Sequence, residues 1–153
     1  MLEINNSLSE QEGASHYALW AIMKAPLLIG TDLTAASPAT LAVLGNQDLL
    51  KINQDPLNEQ ARMLVDGKDH QLWGGALSGG GFVLMAIDTA QGPLPLTLNA
   101  ALSKLPNFST AKEYSVTDVW KGGSMGEIKP GQAALPLKVS ERHGNALVTL
   151  TPK

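Results

Sequence analysis

The 153 residues have the size of one globular domain, or of one domain with part of a second. Apolar residues make up 44% of the chain and charged residues only 16%, which excludes a disordered polypeptide. The formal net charge of −3 predicts that neither nucleic acid nor an anionic membrane surface is a partner. The chain has no cysteine, so disulfide bridges, thiolate metal sites and a cysteine nucleophile are excluded.

Targeting signals give no location for this chain. Its first residues contain neither a basic segment nor an apolar one, so they do not have the form of a signal peptide. No apolar run approaches the length of about 18 residues that a membrane-spanning helix needs. Two N-x-S sequons, at Asn5 and Asn107, would be glycosylation acceptors if the chain were secreted.

The first helix is predicted from its caps. Ser9 and Glu12 have the spacing of a capping box, and Pro26 ends the segment that follows. Apolar residues occur on nearly all sides of this helix, which predicts that neighbouring elements cover most of it.

A short apolar run at residues 27–29 predicts a strand buried on both faces, as in a parallel sheet. A second helix is predicted from Ser37 to Gly45, and Asn46 caps a further short turn. No second strand is predicted in this part of the chain, although a parallel strand needs neighbours delivered by crossover helices. We therefore expect residues 1 to about 57 to be the last unit of a longer βα array.

Residues from about 61 onward have a different pattern, with short apolar strands between turn residues. Six to eight such strands predict an antiparallel β-sandwich. The predicted features are a hairpin of residues 71–73 and 82–87 around glycines 79–81, an edge strand at 94–98, a strand at 114–120, and a second hairpin of residues 134–139 and 146–150 around 142–145.

The three histidines do not predict a metal site. His16, His70 and His143 are far apart in the sequence, and none stands in a metal-binding motif. A packing role is favoured for His16 and a solvated loop for His70. We predict neither a metal nor another cofactor.

Asp32 is the carboxylate whose position is most suggestive of chemistry, because active sites of parallel α/β folds lie just past the strand ends. Catalysis by paired carboxylates needs two groups about 5–9 Å apart on different strand ends, and only one such position is predicted. A structural role for Asp32 is therefore favoured over a catalytic one. Asp48, Asp55 and Asp118 are predicted to bond locally at caps or turns.

Trp20, Trp73 and Trp120 are the aromatic residues able to stack on a sugar. Burial in the core is the favoured interpretation for each tryptophan, because aromatic residues make up only 5% of the chain.

Several segments resemble glycoside hydrolase family 27, the α-galactosidases, and in particular the C-terminal part of a fungal-type member. Residues 17–33 resemble the last barrel strand with its preceding helix, and Ile52-Asn53-Gln54-Asp55-Pro56-Leu57 resembles the family's signature after the final barrel helix. The other similar segments, in the same order as in the family, are residues 37–41, 114–120 and 144–152.

The resemblance implies a chain that is mainly β with some α. Residues 1–57 would be the last α-β-α unit of a (β/α)8 barrel, and residues 58–153 would form the C-terminal antiparallel β-sandwich. Family members are retaining enzymes that remove terminal α-linked galactose, using two aspartates on earlier barrel strands. Neither of the sequence motifs that contain these two aspartates is present, so we predict no catalytic residue and no activity for this chain alone. Met1 matches a methionine that lines the galactose pocket, which implies a substrate-binding role.

The resemblance leaves three functions open for the isolated chain. It is a non-catalytic fragment of such an enzyme, a lectin-like or immunomodulatory carbohydrate-binding module, or one half of a split or oligomeric glycosidase. The expected partners are galactose or α-galactosides, bound weakly, and either further copies of the chain or the missing barrel portion. Residues 1–57 are expected to pack on the sandwich or on another copy. The family is secreted or vacuolar/lysosomal.

Overall fold

The computed structural model describes residues 1–4, 7–89 and 92–153. Within them, helices come first and strands follow. The helices are α1 (Glu10–Ile22), α2 (Pro38–Leu44) and α3 (Gln47–Asn53), and the strands are β1 (Arg62–Asp66), β2 (His70–Leu77), β3 (Gly81–Asp88), β4 (Leu96–Ala101), β5 (Tyr114–Asp118), β6 (Ser124–Ile128), β7 (Ala134–Val139) and β8 (Asn145–Pro152).

The helices begin where their caps predict. The Ser9 hydroxyl accepts a hydrogen bond from the Glu12 amide, and the Glu12 carboxylate accepts one from the Ser9 amide, which completes the capping box of α1. Ser37 caps α2, and the Asn46 side chain accepts bonds from two amides at the start of α3. None of the helices in the described ranges is long and apolar enough to cross a membrane.

Two antiparallel sheets form the β part of the molecule. Six strands are arranged in the order β1-β2-β3-β8-β5-β6, and β4 pairs with β7 in a separate two-stranded sheet. The first predicted hairpin is confirmed as β2–β3, whose turn places Gly79 and Gly80 at φ +69° and +77°. Such backbone angles favour glycine over residues with a side chain. The predicted edge strand is confirmed as β4, although it begins at Leu96.

Strand β3 lies near the centre of the larger sheet and is buried along its whole length. Val83 and Met85 face the helices, while Phe82 and Leu84 face the β4–β7 sheet. Because both faces are covered, the strand is continuously apolar instead of alternating. The molecule is therefore layered, with helices, a six-stranded sheet and a two-stranded sheet in that order.

The N-terminal helices pack directly on the larger sheet. Tyr17, Ala21 and Leu49 belong to one buried cluster with Met85 and Leu147 of β3 and β8. This confirms that α1 and α3 pack on the sandwich. The proposed division at residue 57 stays a prediction.

The second predicted hairpin is wrong. Strand β7 pairs with β4, whereas β8 pairs with β3 and β5 in the other sheet. The segment between them crosses from one layer to the other, where the buried Asp88 carboxylate accepts hydrogen bonds from the His143 amide at 2.8 Å and from Arg142 at 3.4 Å. The turn composition of residues 142–145 indicates a reversal of direction, which a layer crossing also requires.

The strand predicted at residues 27–29 is neither buried nor alone. Leu28 is 65% exposed and Ile29 is 47% exposed. Ile29 forms a parallel bridge with Leu2, so a second strand segment precedes α1. Among the described residues Leu28 and Ile29 have one parallel neighbour, at Leu2, which leaves their side chains exposed.

Candidate functional site

Two parallel segments place the residues around Leu2 and Ile29 side by side. The Leu2 amide donates to the Leu28 carbonyl at 2.7 Å, and the Gly30 amide donates to the Leu2 carbonyl at 2.9 Å. The Thr31 hydroxyl continues the connection by accepting from the Ile4 amide at 2.9 Å. The carboxyl ends of both segments therefore lie together, at the position where parallel α/β folds bind ligands.

Met1 and Glu3 lie across Gly30 at these strand ends. A Cβ atom at Gly30 would be 2.9 Å from Glu3 Cδ and 3.2 Å from Met1 Cβ, so a side chain there would require the exposed Glu3 side chain to move. Met1 is 70% exposed, and its predicted role in binding substrate stays a prediction.

Asp32 is bonded to its own loop. Its Oδ1 accepts from the Thr34 hydroxyl at 2.7 Å and from the Thr34 amide at 2.9 Å. These hydrogen bonds, that of the hydroxyl first, lower the pKa of the carboxyl. A lowered pKa is unsuited to a general acid, so the geometry agrees with the structural role favoured from the sequence.

His16 connects α1 to the first strand segment. Its Nε2 accepts a hydrogen bond from the Glu3 amide at 3.3 Å, and its ring centroid lies 5.5 Å from that of Trp20. Burial lowers the pKa of His16, which keeps Nε2 unprotonated and able to accept this bond. His16 thus has the packing role that was expected.

The structure does not bring the histidines together. His143 Nδ1 lies 2.9 Å from Glu12 in the first turn of α1, and His70 lies beside Gly67 at the start of β2. Across residues 1–4, 7–89 and 92–153, no group of three or more histidine or carboxylate side chains has the arrangement of a metal site.

Asp55 has a structural role that goes beyond the predicted turn. It accepts the predicted local bond from the Leu57 amide at 3.1 Å, and it also accepts from the Ser78 hydroxyl at 2.6 Å and the Ser78 amide at 2.9 Å. Burial opposes ionisation of Asp55, but these bonds outweigh it and lower the pKa of the carboxyl. Asp55 therefore ties the end of the helical part to the β2–β3 turn, a contact that no local pattern indicates.

The two other aspartates bond locally, as expected. Asp118 Oδ1 accepts from the amides of Trp120 and Lys121 in the turn after β5, at 2.8 and 3.0 Å. Asp48 lies in the first turn of α3 and pairs with Lys51 at 2.8 Å.

A polar chain joins α1 to the sandwich. The Ser15 hydroxyl donates to the His143 carbonyl at 2.7 Å and accepts from the Asn145 amide group at 3.0 Å. Asn145 Oδ1 in turn accepts from the Trp120 indole N–H at 2.7 Å. Sequence reasoning missed Ser15 and Asn145, because about 130 positions separate the partners along the chain.

The tryptophans do not form an aromatic platform. Trp20, Trp73 and Trp120 are each partly buried and pack against the cluster between the helices and the larger sheet. All three therefore pack against the core, but none is buried in it as predicted, and Trp120 also borders a cleft.

This junction cleft has a volume of about 580 Å³ and lies between α1, the end of β5 and the β7–β8 connection. Gln11 and Ala14 contribute from α1, and Trp120, Lys138 and Asn145 contribute from the sandwich. No motif in the sequence pointed to this cleft, because its walls come from segments that are distant along the chain.

A surface ion cluster joins Glu113 and Glu127 to Lys129 and Lys153. Hydrogen bonds from Lys129 and then Lys153 lower the pKa of Glu127 to about 2. Each carboxylate is paired with both lysines, so we interpret this cluster as a structural feature.

One predicted glycosylation site is described and the other is not. Asn107 is exposed and has a φ of +59°, with Ser109 two residues later. Asn5 lies outside the described residues. Use of either sequon stays a prediction.

Comparisons with known proteins cover the whole chain. Residues 1–55 match the family described as "Alpha galactosidase A", and residues 67–150 match "Alpha galactosidase C-terminal beta sandwich domain". Alpha-galactosidase 3 of Arabidopsis thaliana is 32% identical, in a match that covers 100% of this chain and 35% of that protein. Alpha-N-acetylgalactosaminidase of Gallus gallus is 35% identical, in a match that covers 86% of this chain and 32% of that protein. The chain thus spans about a third of the length of these relatives.

A solved structure agrees with the sequence matches. Alpha-galactosidase I from Mortierella vinacea superposes with a TM-score of 0.83 at 25% identity, over 95% of this chain and 36% of that one. Its match includes both the helical part and the sandwich. The similar proteins come from plants, fungi, bacteria and a bird, so the fungal-type assignment stays a prediction.

Proposed function

Because this chain belongs to the α-galactosidase family of glycoside hydrolases, family 27, we propose that it supplies the closing α-β-α unit of a (β/α)8 barrel and the C-terminal β-sandwich of a glycosidase. The intact enzyme would remove terminal α-linked galactose with retention of configuration. The parallel bridge between Leu2 and Ile29 supports the proposal, because the strand pairs of the described residues are otherwise antiparallel and parallel pairing is what a (β/α)8 barrel uses.

The chain alone is proposed to be non-catalytic. Retaining glycosidases need two carboxyl groups about 5–5.5 Å apart, one of them with a raised pKa. Glu3 and Asp32 are the carboxylates at the described strand ends, and Asp32 has a lowered pKa and is engaged by Thr34. The nucleophile and the acid/base would therefore come from the other barrel strands. Met1 would then contact the sugar from the strand segment that contains Leu2.

The exposed apolar side chains of the helical part support an association with barrel strands. Met1, Leu28 and Leu33 are 70%, 65% and 51% exposed, and they lie at or beside the two strand segments. Exposed apolar groups concentrated at an unpaired sheet edge mark an interaction surface. We propose that the remaining barrel strands of an α-galactosidase cover this surface, which we call the barrel edge.

A homo-oligomer is the second candidate for covering the barrel edge. Sedimentation velocity distinguishes the two, because self-association would give dimers or larger species whose proportion rises with concentration. Replacing Leu28 and Leu33 by serine would remove any such association. A monomer at all concentrations would leave the barrel edge free for another polypeptide, whereas oligomers unaffected by these substitutions would show that a different surface is used.

The activity proposal is tested with the purified chain and an aryl α-galactoside. We expect no turnover by the chain alone. We expect turnover to appear when the chain is mixed with a separately produced barrel portion of an α-galactosidase relative, and to be lost again when Leu28 and Leu33 are serine. Turnover by the homogeneous chain alone would contradict the proposal.

A lectin-like or immunomodulatory module remains the alternative function, and the junction cleft is the observation that favours it. A secreted or vacuolar/lysosomal location is proposed by analogy with the family. Expression through a secretory pathway, followed by enzymatic deglycosylation and mass measurement, tests whether Asn5 and Asn107 are modified.

A further inference from the structure

The junction cleft has the dimensions of a small-molecule site. Its volume of about 580 Å³ falls within the range of about 300–1,000 Å³ that is usual for ligand pockets. It lies on the side of α1 that faces the sandwich, where α1 contributes Gln11 and Ala14. It is therefore separate from the strand ends that the proposed glycosidase function concerns.

The aromatic wall of the cleft is held in place before any ligand arrives. The Trp120 indole N–H donates to Asn145 at 2.7 Å, and Asn145 is held in turn by Ser15 at 3.0 Å. Pro136 and Ala146 add apolar surface elsewhere in the lining of the cleft. A fixed aromatic side chain in a cleft that also has apolar groups suits the C–H face of a sugar ring, and such preorganisation reduces the entropy lost on binding.

The polar groups around the cleft are mixed in charge. Lys121 and Lys138 face it together with Asp118 and Glu141, so two positive and two negative side chains balance. Asp118 is engaged by backbone amides, and Glu141 accepts from Gln11 of α1. A balanced rim of donors and acceptors favours a neutral ligand with many hydroxyl groups. A phosphate or carboxylate ligand would instead favour a concentration of arginine.

We propose that the junction cleft binds a neutral mono- or disaccharide, which packs against Trp120 and receives a hydrogen bond from Lys138. A sugar bound there contacts both α1 and the sandwich, so it stabilises the junction between the two parts of the chain. The site does not depend on catalytic carboxylates or on completion of the barrel, and it operates in the chain as it stands.

The proposal is tested by titrating the ¹⁵N-labelled 153-residue chain with melibiose, with galactose, and with the open-chain polyol mannitol as a control. We expect saturable shifts at the Trp120 indole and at the Lys138 and Asn145 amides, with a Kd for melibiose on the order of 1 mM. Mannitol should produce no saturable shift. The absence of saturation with both sugars, or shifts confined to Met1 and the strand ends, would overturn the proposal.

Matched lysine variants locate the site without disturbing the core. Lys138→Ala should weaken melibiose binding about tenfold, the loss expected for one hydrogen bond from a charged donor. Lys112→Ala removes an exposed lysine that does not line the cleft and should leave affinity unchanged. Equal affinities for these two variants would overturn the assignment.

A conservative change at the aromatic wall gives a second test. Trp120→Phe keeps a ring but loses the bond to Asn145, so it should weaken binding while the amide spectrum stays that of a folded chain. Unchanged affinity in folded Trp120→Phe would refute the role of the fixed indole. If Trp120→Phe does not fold, the comparison of Lys138→Ala with Lys112→Ala decides whether the sugar binds in the junction cleft.

Discussion

Removing the Asp55 carboxylate should destabilise the connection between the helical part and the sandwich. Both of its oxygens accept bonds from Ser78, at 2.6 Å from the hydroxyl and at 2.9 and 3.1 Å from the amide, and Oδ1 also accepts from the Leu57 amide. A hydrogen bond to a charged group contributes about 1.5–3 kcal/mol to stability, with smaller values where the group is partly exposed. Since Asp55 is half-buried, we expect Asp55→Ala to cost about 2–3 kcal/mol in total.

A double-mutant cycle separates the Ser78 hydroxyl from the remaining bonds. Ser78→Ala removes only the 2.6 Å hydroxyl bond and should cost about 1 kcal/mol. The double variant should cost little more than Asp55→Ala alone, because the hydroxyl then has no carboxylate partner. The coupling energy is therefore expected to be about 1 kcal/mol.

The assay is urea unfolding of the full chain at neutral pH, with Asp48→Ala as the matched control. Asp48 pairs with the exposed Lys51 one helical turn away, and its removal should cost roughly 0.5 kcal/mol. Additive effects of Asp55→Ala and Ser78→Ala, or an Asp55→Ala effect no larger than that of Asp48→Ala, would refute the proposed connection.

Two further predictions concern packing and pH. A Cβ atom at Gly75 would lie 2.8 Å from Ala61 Cα, so Gly75→Ala should lower the free energy of unfolding in urea by about 2 kcal/mol. Gly123→Ala is the control and should be near neutral, because its added methyl group meets open space. Equal effects of the two substitutions would contradict the packing. The folded-state pKa of Glu127 is lowered from 4.5 to about 2, so its stabilising contribution is present above 4.5 and is lost as the pH falls towards 2. Thermal unfolding over this range should show a falling Tm whose slope is reduced in Glu127→Gln, and an unchanged slope would contradict the ion cluster.

Local structure was predictable wherever the decisive partners are close in sequence. The caps of α1, α2 and α3 are confirmed because each cap residue bonds an amide two or three positions away. The β2–β3 hairpin is confirmed for the same reason, since consecutive glycines supply the positive φ angles of its turn.

The connection between β7 and β8 could not be predicted from its turn residues. Arg142 and His143 bond to Asp88, which lies 54 and 55 positions earlier, and this contact directs the chain from one sheet to the other. A hairpin and a layer crossing both need a reversal of direction, so the local pattern does not distinguish them.

The burial predicted for residues 27–29 was wrong because a continuous apolar run indicates a buried strand only where neighbouring elements cover both of its faces. Leu28 and Ile29 have one parallel neighbour at Leu2 and are otherwise exposed. The junction cleft was unpredictable for a different reason, since its walls come from α1, β5 and the β7–β8 connection.

The most direct test of the central claim is a covalent chimera. The part of Arabidopsis thaliana alpha-galactosidase 3 that precedes the matched segment would be joined to Met1 of this chain, and hydrolysis of an aryl α-galactoside would be measured. If residues 1–57 close a (β/α)8 barrel, the chimera is active and a variant with serine at Leu28 and Leu33 loses most of that activity. A soluble, folded chimera without α-galactosidase activity would contradict the account.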